Sequence, residues 1–159
     1  WEQNSKLQNK IIKYVRRMPQ ADLNHSRLYI LLFNHIQDLH QSVRLISESC
    51  LDHLDNYHTL PSTEYVQAAK AIETSLTTYI ESICEHLMQA KADQLGTFEN
   101  IQQTLTTQLS KTLDLVITDI QQKEVGNRIG RLQTKLLLES KDIQNTLTGI
   151  YNLYKDIER

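Results

Sequence analysis

Apolar residues recur every three or four positions along most of the chain, a spacing typical of helices that pack against other helices. The longest such run, residues 28–58, contains neither Gly nor Pro. It predicts one helix that starts after a cap at Asp22 or Asn24 and ends near Asn56. The expected buried stripe of this helix is Leu32, Ile36, Leu39, Val43, Ile46, Cys50 and Leu54. We expect the later helices to pack around it.

Three further helices are predicted after this one. Ser62 follows Pro61 and is a suitable cap for the third helix, which stops near Gly96. Thr97 is the expected cap of the fourth helix, and the last begins near Gly126. The expected inward residues are Tyr65, Ala69, Ile72, Leu76, Tyr79 or Ile80, Ile83 and Leu87, then Ile101, Leu105, Leu109, Leu113, Val116 and Ile120, and finally Ile129, Leu132, Leu136, Ile143, Leu147, Ile150 and Tyr154.

Composition indicates the fold class, and loop length indicates how these helices are arranged. The chain has four Gly, two Pro and few aromatic residues, and strand-like alternation is hard to find, so the predicted class is all-α. Short connections between long helices favour antiparallel neighbours. We therefore expect an up-down four-helix bundle over residues 20–159, preceded by a helical extension over residues 1–19 that ends at Pro19.

Charge is distributed unevenly along the chain. Residues 1–20 hold five basic side chains and one acid, a net charge of +4, which leaves −6 for the rest of a chain whose total is −2. An acidic body argues against nucleic-acid binding, which needs a continuous basic face. A basic segment before an acidic domain is typical of the cytoplasmic side of a membrane span. A solvated terminal helix is the alternative.

The usual catalytic and metal-binding motifs are missing from the sequence, so we expect no enzyme. Cys50 with His53 and Cys84 with His86 could suggest zinc. In an antiparallel bundle, however, the two pairs would lie roughly 24 Å apart along the axis. We interpret both cysteines as buried structural thiols in a reducing compartment.

One polar layer is predicted across the bundle. Counting from the turns places Asp38, Glu81, Lys111 and Asp142 near one level, with Asn34, Glu85 and Asn145 about a turn away. Such a carboxylate-rich patch could hold a metal ion or a cationic partner. The alternative is that these are solvated surface charges.

Glu139 falls on the apolar stripe of the last helix, between Leu136 and Ile143. A carboxylate in that position needs a partner. His40 and Tyr79 are expected near the same level, so we predict a buried polar network of Glu139, His40 and Tyr79.

Three segments resemble a known family in sequence, order and separation. They are HIQDLHQSVRLISES, LDHLDNYHTLP and KEVGNRIGRLQTKLLLESKDIQNTLTGIYNLY. They are similar to the PhoU-like cytosolic domain at the C-terminal end of bacterial inorganic phosphate transporters of the PiT family. The resemblance covers roughly residues 20–159 and implies a helical bundle attached to a membrane permease.

PhoU proteins bind metal clusters through Glu-x-x-x-Asp pairs. The resemblance puts Asn34 with Asp38 and Leu138 with Asp142 at those positions, so both leading carboxylates are replaced. The resemblance and the predicted polar layer together give Asp38, Asp142, Asn34 and Glu81 as the metal candidates, Glu81 from the layer alone. No cofactor is expected, and a divalent or iron ion at these residues is the alternative.

The function implied by the resemblance is that of a non-catalytic regulatory domain of an inorganic phosphate transporter. It would lie at the cytoplasmic face of the bacterial inner membrane and dock on the permease portion of the same polypeptide or on a second copy of itself. The chain begins at Trp1 rather than Met, so we expect that permease upstream. A free-standing helical adaptor, or the cytosolic domain of another transporter, is the alternative.

Overall fold

Five helices make up the part of the chain that the computed structural model describes, residues 2–18, 23–56, 58–89, 95–122 and 126–157. They are α1 (Glu2–Val15), α2 (Leu23–Asp55), α3 (Thr63–Gln89), α4 (Leu95–Gln121) and α5 (Asn127–Ile157). No strand occurs within these ranges, so the prediction of an all-α fold is confirmed.

The predicted helix starts are correct at α3 and displaced at α4. The Tyr65 amide donates to Ser62 Oγ at 3.2 Å, so Ser62 caps α3 as expected. Helix α4 begins at Leu95, so Gly96 and Thr97 lie inside its first turn instead of before it. The predicted cap Asp22 lies outside the described residues, as does the side chain of Asn24.

Residue pairs across the seams give the helix directions. Tyr65 contacts Gln133 and Tyr79 contacts Thr148, so α3 and α5 run parallel. Gln102 pairs with Thr148, whereas Thr106 pairs further back with Gln144, so α4 is antiparallel to α5. The corresponding pairs across the α2 seam are His35 with Gly149 and His58 with Arg128, and α2 is therefore also antiparallel to α5.

Helix α5 is the central element of the fold. It packs against α2, α3 and α4, while α3 also packs along α4 and α1 lies on α2. Among the described residues, α2 and α3 are not a closely packed pair, although they follow each other in the chain. The helices α3, α4 and α5 therefore enclose the core, and α2 lies against one side of α5.

Among the described residues, the main cluster of buried side chains comes from α3, α4 and α5. Its members are Tyr65, Ile72, Tyr79, Ile83, Phe98, Leu105, Leu109, Val116, Leu137, Ile143, Leu147 and Tyr151. Phe98, in the first turn of α4, lies toward one end of this cluster, stacked on Tyr151 at 4.0 Å and on Tyr79 at 5.1 Å between ring centroids. Leu39 and Ile46 of α2 reach this core only as partly buried neighbours.

The predicted stripe of α2 is therefore wrong in part. Its seven residues are at best half-buried, and Val43 and Leu54 are exposed. The apolar residue that α2 does bury is Phe33, in the half of the helix that α1 covers through contacts such as Tyr14 with Tyr29. Helical spacing correctly identified an apolar face, but this face is covered only in part, because Ile46 packs against the core whereas Val43 and Leu54 stay exposed.

Candidate functional site

The solvent face of α5, framed by α2 and α4, carries four adjoining shallow cavities. Their volumes are about 910, 450, 360 and 230 Å³. The largest shares Arg131 and Lys135 with the second, Glu139 with the third and Leu138 with the fourth. Because these residues are shared, the cavities form one continuous surface, which we call the α5 surface.

Two of the predicted metal ligands meet on the α5 surface. Asp38 of α2 and Asp142 of α5 line the 360 Å³ cleft together with Glu139 and Asn145. Counting residues from the turns therefore placed this pair at one level correctly. The cleft is open to solvent and lies along the α2/α5 seam.

The other two predicted ligands are elsewhere. Asn34 is exposed one turn before Asp38 and does not line the cleft, and Glu81 is exposed on α3. Across the residues that the structure describes, no three His, Cys, Asp or Glu side chains are placed to share an ion. A hard divalent cation prefers six or more oxygen ligands, so these donors fall short of a cage. The metal site stays a prediction.

A different polar network replaces the predicted one. His40 is exposed, Glu139 is half-buried at the rim of the cleft, and Tyr79 pairs instead with Thr148, its hydroxyl 2.8 Å from Thr148 Oγ1. Thr148 Oγ1 also accepts a bond from Gln102 Nε2 at 3.2 Å. The predicted network of Glu139, His40 and Tyr79 is therefore not formed.

The network that does form joins three helices. It continues from Gln102 to Gln144, whose Nε2 donates to the Gln102 carbonyl at 3.2 Å and to Thr106 Oγ1 at 2.7 Å. Together with Tyr79, four Thr and Gln side chains thus connect α3, α4 and α5. Sequence reasoning missed them because Thr and Gln are abundant in this chain and carry no distinguishing spacing.

The buried phenols remain protonated at neutral pH. Burial first, and the nearby Cys50 thiol second, raise the pKa of Tyr65 well above its ordinary value. Burial also raises the pKa of Tyr79, against the smaller lowering effect of its bond to Thr148. Burial, followed by the charge of Glu99, raises the pKa of Tyr151. A phenol with a raised pKa is a poor general base, so these residues are structural.

A cluster of His and Arg residues closes the end of the bundle where α2 turns into α3. His53 is buried and its Nε2 lies 2.8 Å from the Thr59 carbonyl, to which it donates. The His53 and His58 rings meet edge to face at 5.2 Å, and Arg128 Nη1 lies 3.3 Å from His58 Nδ1. These contacts fix the turn against the start of α5.

The cavity beside this cluster is polar and of mixed charge. It is lined by Arg128, Arg131 and Lys135 on one side and by Glu48 and Asp52 on the other. Because the opposing charges nearly balance, the cavity offers no strong preference for an anion or a cation. Sequence reasoning missed this juxtaposition, although His53 and His58 flank a predicted turn.

The two cysteines differ from expectation in exposure. Cys50 is half-buried and Cys84 is exposed, so the prediction that both are buried is wrong for Cys84. Both thiols are free. His53 bonds to Thr59 and His86 packs on the Tyr151 ring at 5.1 Å, so each imidazole has a structural role of its own.

Helix α2 exposes an apolar strip on its C-terminal half. The exposed fractions are 51% for Val43, 59% for Leu51 and 58% for Leu54. We call these three residues the α2 strip. Its position follows from the open seam between α2 and α3, since no helix among the described residues packs over this part of α2.

Comparisons of the chain with protein-family models, with curated proteins and with solved structures found no match. The likeness to PhoU-like domains therefore depends on the three quoted segments. Within the described ranges, every helix is too short or too polar to cross a bilayer.

Proposed function

We propose that this chain is a non-catalytic regulatory domain of an inorganic phosphate transporter, located at the cytoplasmic face of a bacterial inner membrane. In this proposal α2 to α5 form a PhoU-like up-down four-helix bundle whose α2/α3 seam is open, and α1 connects it to the membrane. The resemblance of the three segments supports the transporter, and the helix directions support the bundle.

The observation that carries the docking part of the proposal is the α2 strip. Complete burial of a Val or Leu side chain stabilises a contact by about 1.5–3 kcal/mol, and roughly half of each strip residue is still available to be buried. The three together would contribute about 2–4 kcal/mol. Such docking is weak between separate molecules, but it becomes effective when the partner lies in the same polypeptide.

Weak docking is suited to regulation. A domain shifts a transporter between conformations only if it binds them with different affinity. A contact of a few kcal/mol can form in one conformation and be lost in the other without trapping the transporter in either. We therefore expect the permease to carry an apolar surface that contacts the α2 strip in one of its conformations.

The test is transport by the full-length protein carrying Leu51→Glu together with Leu54→Glu. We expect uptake of radiolabelled phosphate to lose its normal dependence on external phosphate, because charged residues prevent the strip from being buried. Met88→Glu, at an exposed apolar residue of α3, is the matched control and should leave uptake unchanged. Unaltered uptake in the double variant at every phosphate concentration would refute the proposal.

The alternative is a free-standing helical adaptor, or a cytosolic domain of another transporter, that uses the same strip. The adaptor would remain in the supernatant when membranes are sedimented, and the double variant would leave phosphate uptake untouched. The sequence encoded upstream of Trp1 separates the two directly, since several apolar spans there would favour a transporter.

A further inference from the structure

A second exposed apolar surface lies along the seam between α4 and α5, away from α2. Two of the cavities of the α5 surface, of about 910 and 230 Å³, meet there at Leu138. We call this seam the α4/α5 groove. Its lining residues that matter here are Leu113 and Ile120 on α4, and Arg131, Lys135, Leu138 and Lys141 on α5.

The floor of the α4/α5 groove is apolar and accessible. Leu113, Ile117 and Ile120 stand on one face of α4 at helical spacing, and each keeps more than a third of its surface exposed. Opposite them, Leu138 is 53% exposed. Of these four residues, Leu113, Ile120 and Leu138 line the groove, and Ile117 lies between the first two on the same face of α4.

The dimensions of the groove match a short helix. Its lining on α4 extends from Thr106 to Ile120, which is about 21 Å of helix or four turns. Helix-in-groove recognition uses apolar anchors at i, i+3 or i+4, and i+7 of the guest, a pattern that spans this length. A flat membrane surface would not reach the floor between two helices.

The charged residues at the rim of the groove favour a guest helix of negative charge. Of the charged residues that line it, Arg131, Lys135 and Lys141 are cations and Glu139 is the single anion. This basic rim stands out in a chain whose net charge after residue 20 is −6, although Arg131 and Lys135 also face Glu48 and Asp52 in the neighbouring mixed-charge cavity. Helix α1 of a second copy is a poor guest, since its Lys6, Lys10 and Lys13 would meet like charges.

We propose that the α4/α5 groove binds an acidic amphipathic helix of about four turns from a partner protein. The apolar face of the guest covers Leu113, Ile120 and Leu138, and its carboxylates pair with Arg131, Lys135 and Lys141. This interaction is independent of the α2 strip and of the transporter proposal, because none of the strip residues Val43, Leu51 and Leu54 lines the groove.

The probe is a fluorescein-labelled, helix-stapled peptide of about 16 residues with Leu at i, i+4, i+7 and i+11 and Glu on both flanks. Fluorescence anisotropy with the whole chain should show saturable binding that weakens as salt is added. Leu138→Glu and Lys135→Glu should each weaken binding about tenfold or more. Leu51→Glu, at a residue of similar exposure in the α2 strip, should leave it unchanged.

Several outcomes would overturn the proposal. One is equal binding of a peptide in which Lys replaces every Glu, and another is no saturable binding at millimolar peptide. A third is that Leu138→Glu converts a self-associated chain into a monomer in sedimentation velocity, which would assign the groove to a second copy. The last is that the original chain binds phosphatidylglycerol vesicles but no peptide, and that Leu138→Glu abolishes the vesicle binding. This result would assign the groove to a membrane.

Discussion

Replacement of Gln133 by Met should make this protein more stable. Gln133 lies on the core face of α5 and is fully buried, and neither its side-chain nitrogen nor its oxygen has a hydrogen-bond partner. Its backbone carbonyl accepts the bond from the Tyr65 hydroxyl at 3.3 Å, and a change of side chain leaves that bond in place. The substitution therefore removes two unpaired polar groups and no contact made by the amide.

The size of the effect follows from two opposing terms. Each buried polar group without a partner costs about 1–3 kcal/mol. Met follows the unbranched path of Gln with one heavy atom fewer, and the small void costs about 1 kcal/mol. Met and Gln have nearly equal helix propensity. We expect a net gain of about 1–5 kcal/mol in the free energy of unfolding, or roughly 2–4 °C in Tm for each kcal/mol.

Urea unfolding followed by circular dichroism measures this change directly. Gln144→Met is the matched comparison on the same helix, because Gln144 is also buried, at 5% exposure, but donates to the Gln102 carbonyl and to Thr106. It should lose about 1–3 kcal/mol. Exposed Gln103→Met should change little. If Gln133→Met destabilises the chain as Gln144→Met does, the Gln133 amide is satisfied and the reasoning fails.

Three further predictions concern the seams of the bundle. The pKa of Tyr65 is higher in the folded chain than in the unfolded chain, so the unfolded chain ionises first as the pH rises. Tyr65 therefore contributes to stability below a pH of about 10, and this contribution is lost at higher pH. Tyr65→Phe should therefore flatten the alkaline decline of Tm, and an unchanged decline would contradict this. A methyl group at Gly149 would come within 2.6 Å of the His35 ring, so Gly149→Ala should destabilise the chain. In a chain that already carries His35→Ala, Gly149→Ala should stabilise the fold by about 1 kcal/mol, because Ala has a higher helix propensity than Gly. If the effects of the two substitutions on the free energy of unfolding were simply additive, the close contact would be contradicted. Tyr79→Phe should cost about 1 kcal/mol in urea unfolding, but nothing further when Thr148 is already Val.

The sequence predicted what depends on local spacing. Tyr65, Ile72 and Ile83 are buried as their helical periodicity indicates, and the Ser62 cap follows from its side-chain chemistry. Asp38 and Asp142 share a cleft because antiparallel counting fixes the height of a residue along a bundle. These results need no knowledge of which helices are neighbours.

What failed depends on the angular position of each helix. Glu81 belongs to α3, which is not packed closely against α2, and the contact of Tyr79 with Thr148 places Glu81 about two turns along α5 from Asp142. Val43 and Leu54 belong to a correct apolar face that no described helix covers. Tyr79 was correctly placed inside, yet its partner is Thr148 and not Glu139. Periodicity identifies the apolar side of a helix, whereas neighbours are set by long-range packing.

The position of α2 outside the core has a consequence for how the molecule opens. Buried apolar contacts set the free energy of local unfolding, and those of this chain belong almost entirely to α3, α4 and α5. The first two helices should thus form a separate cooperative unit whose amides exchange with deuterium before those of the other three. If the amides exchange in this order, α2 can be released reversibly from one side of α5 while α3, α4 and α5 stay folded.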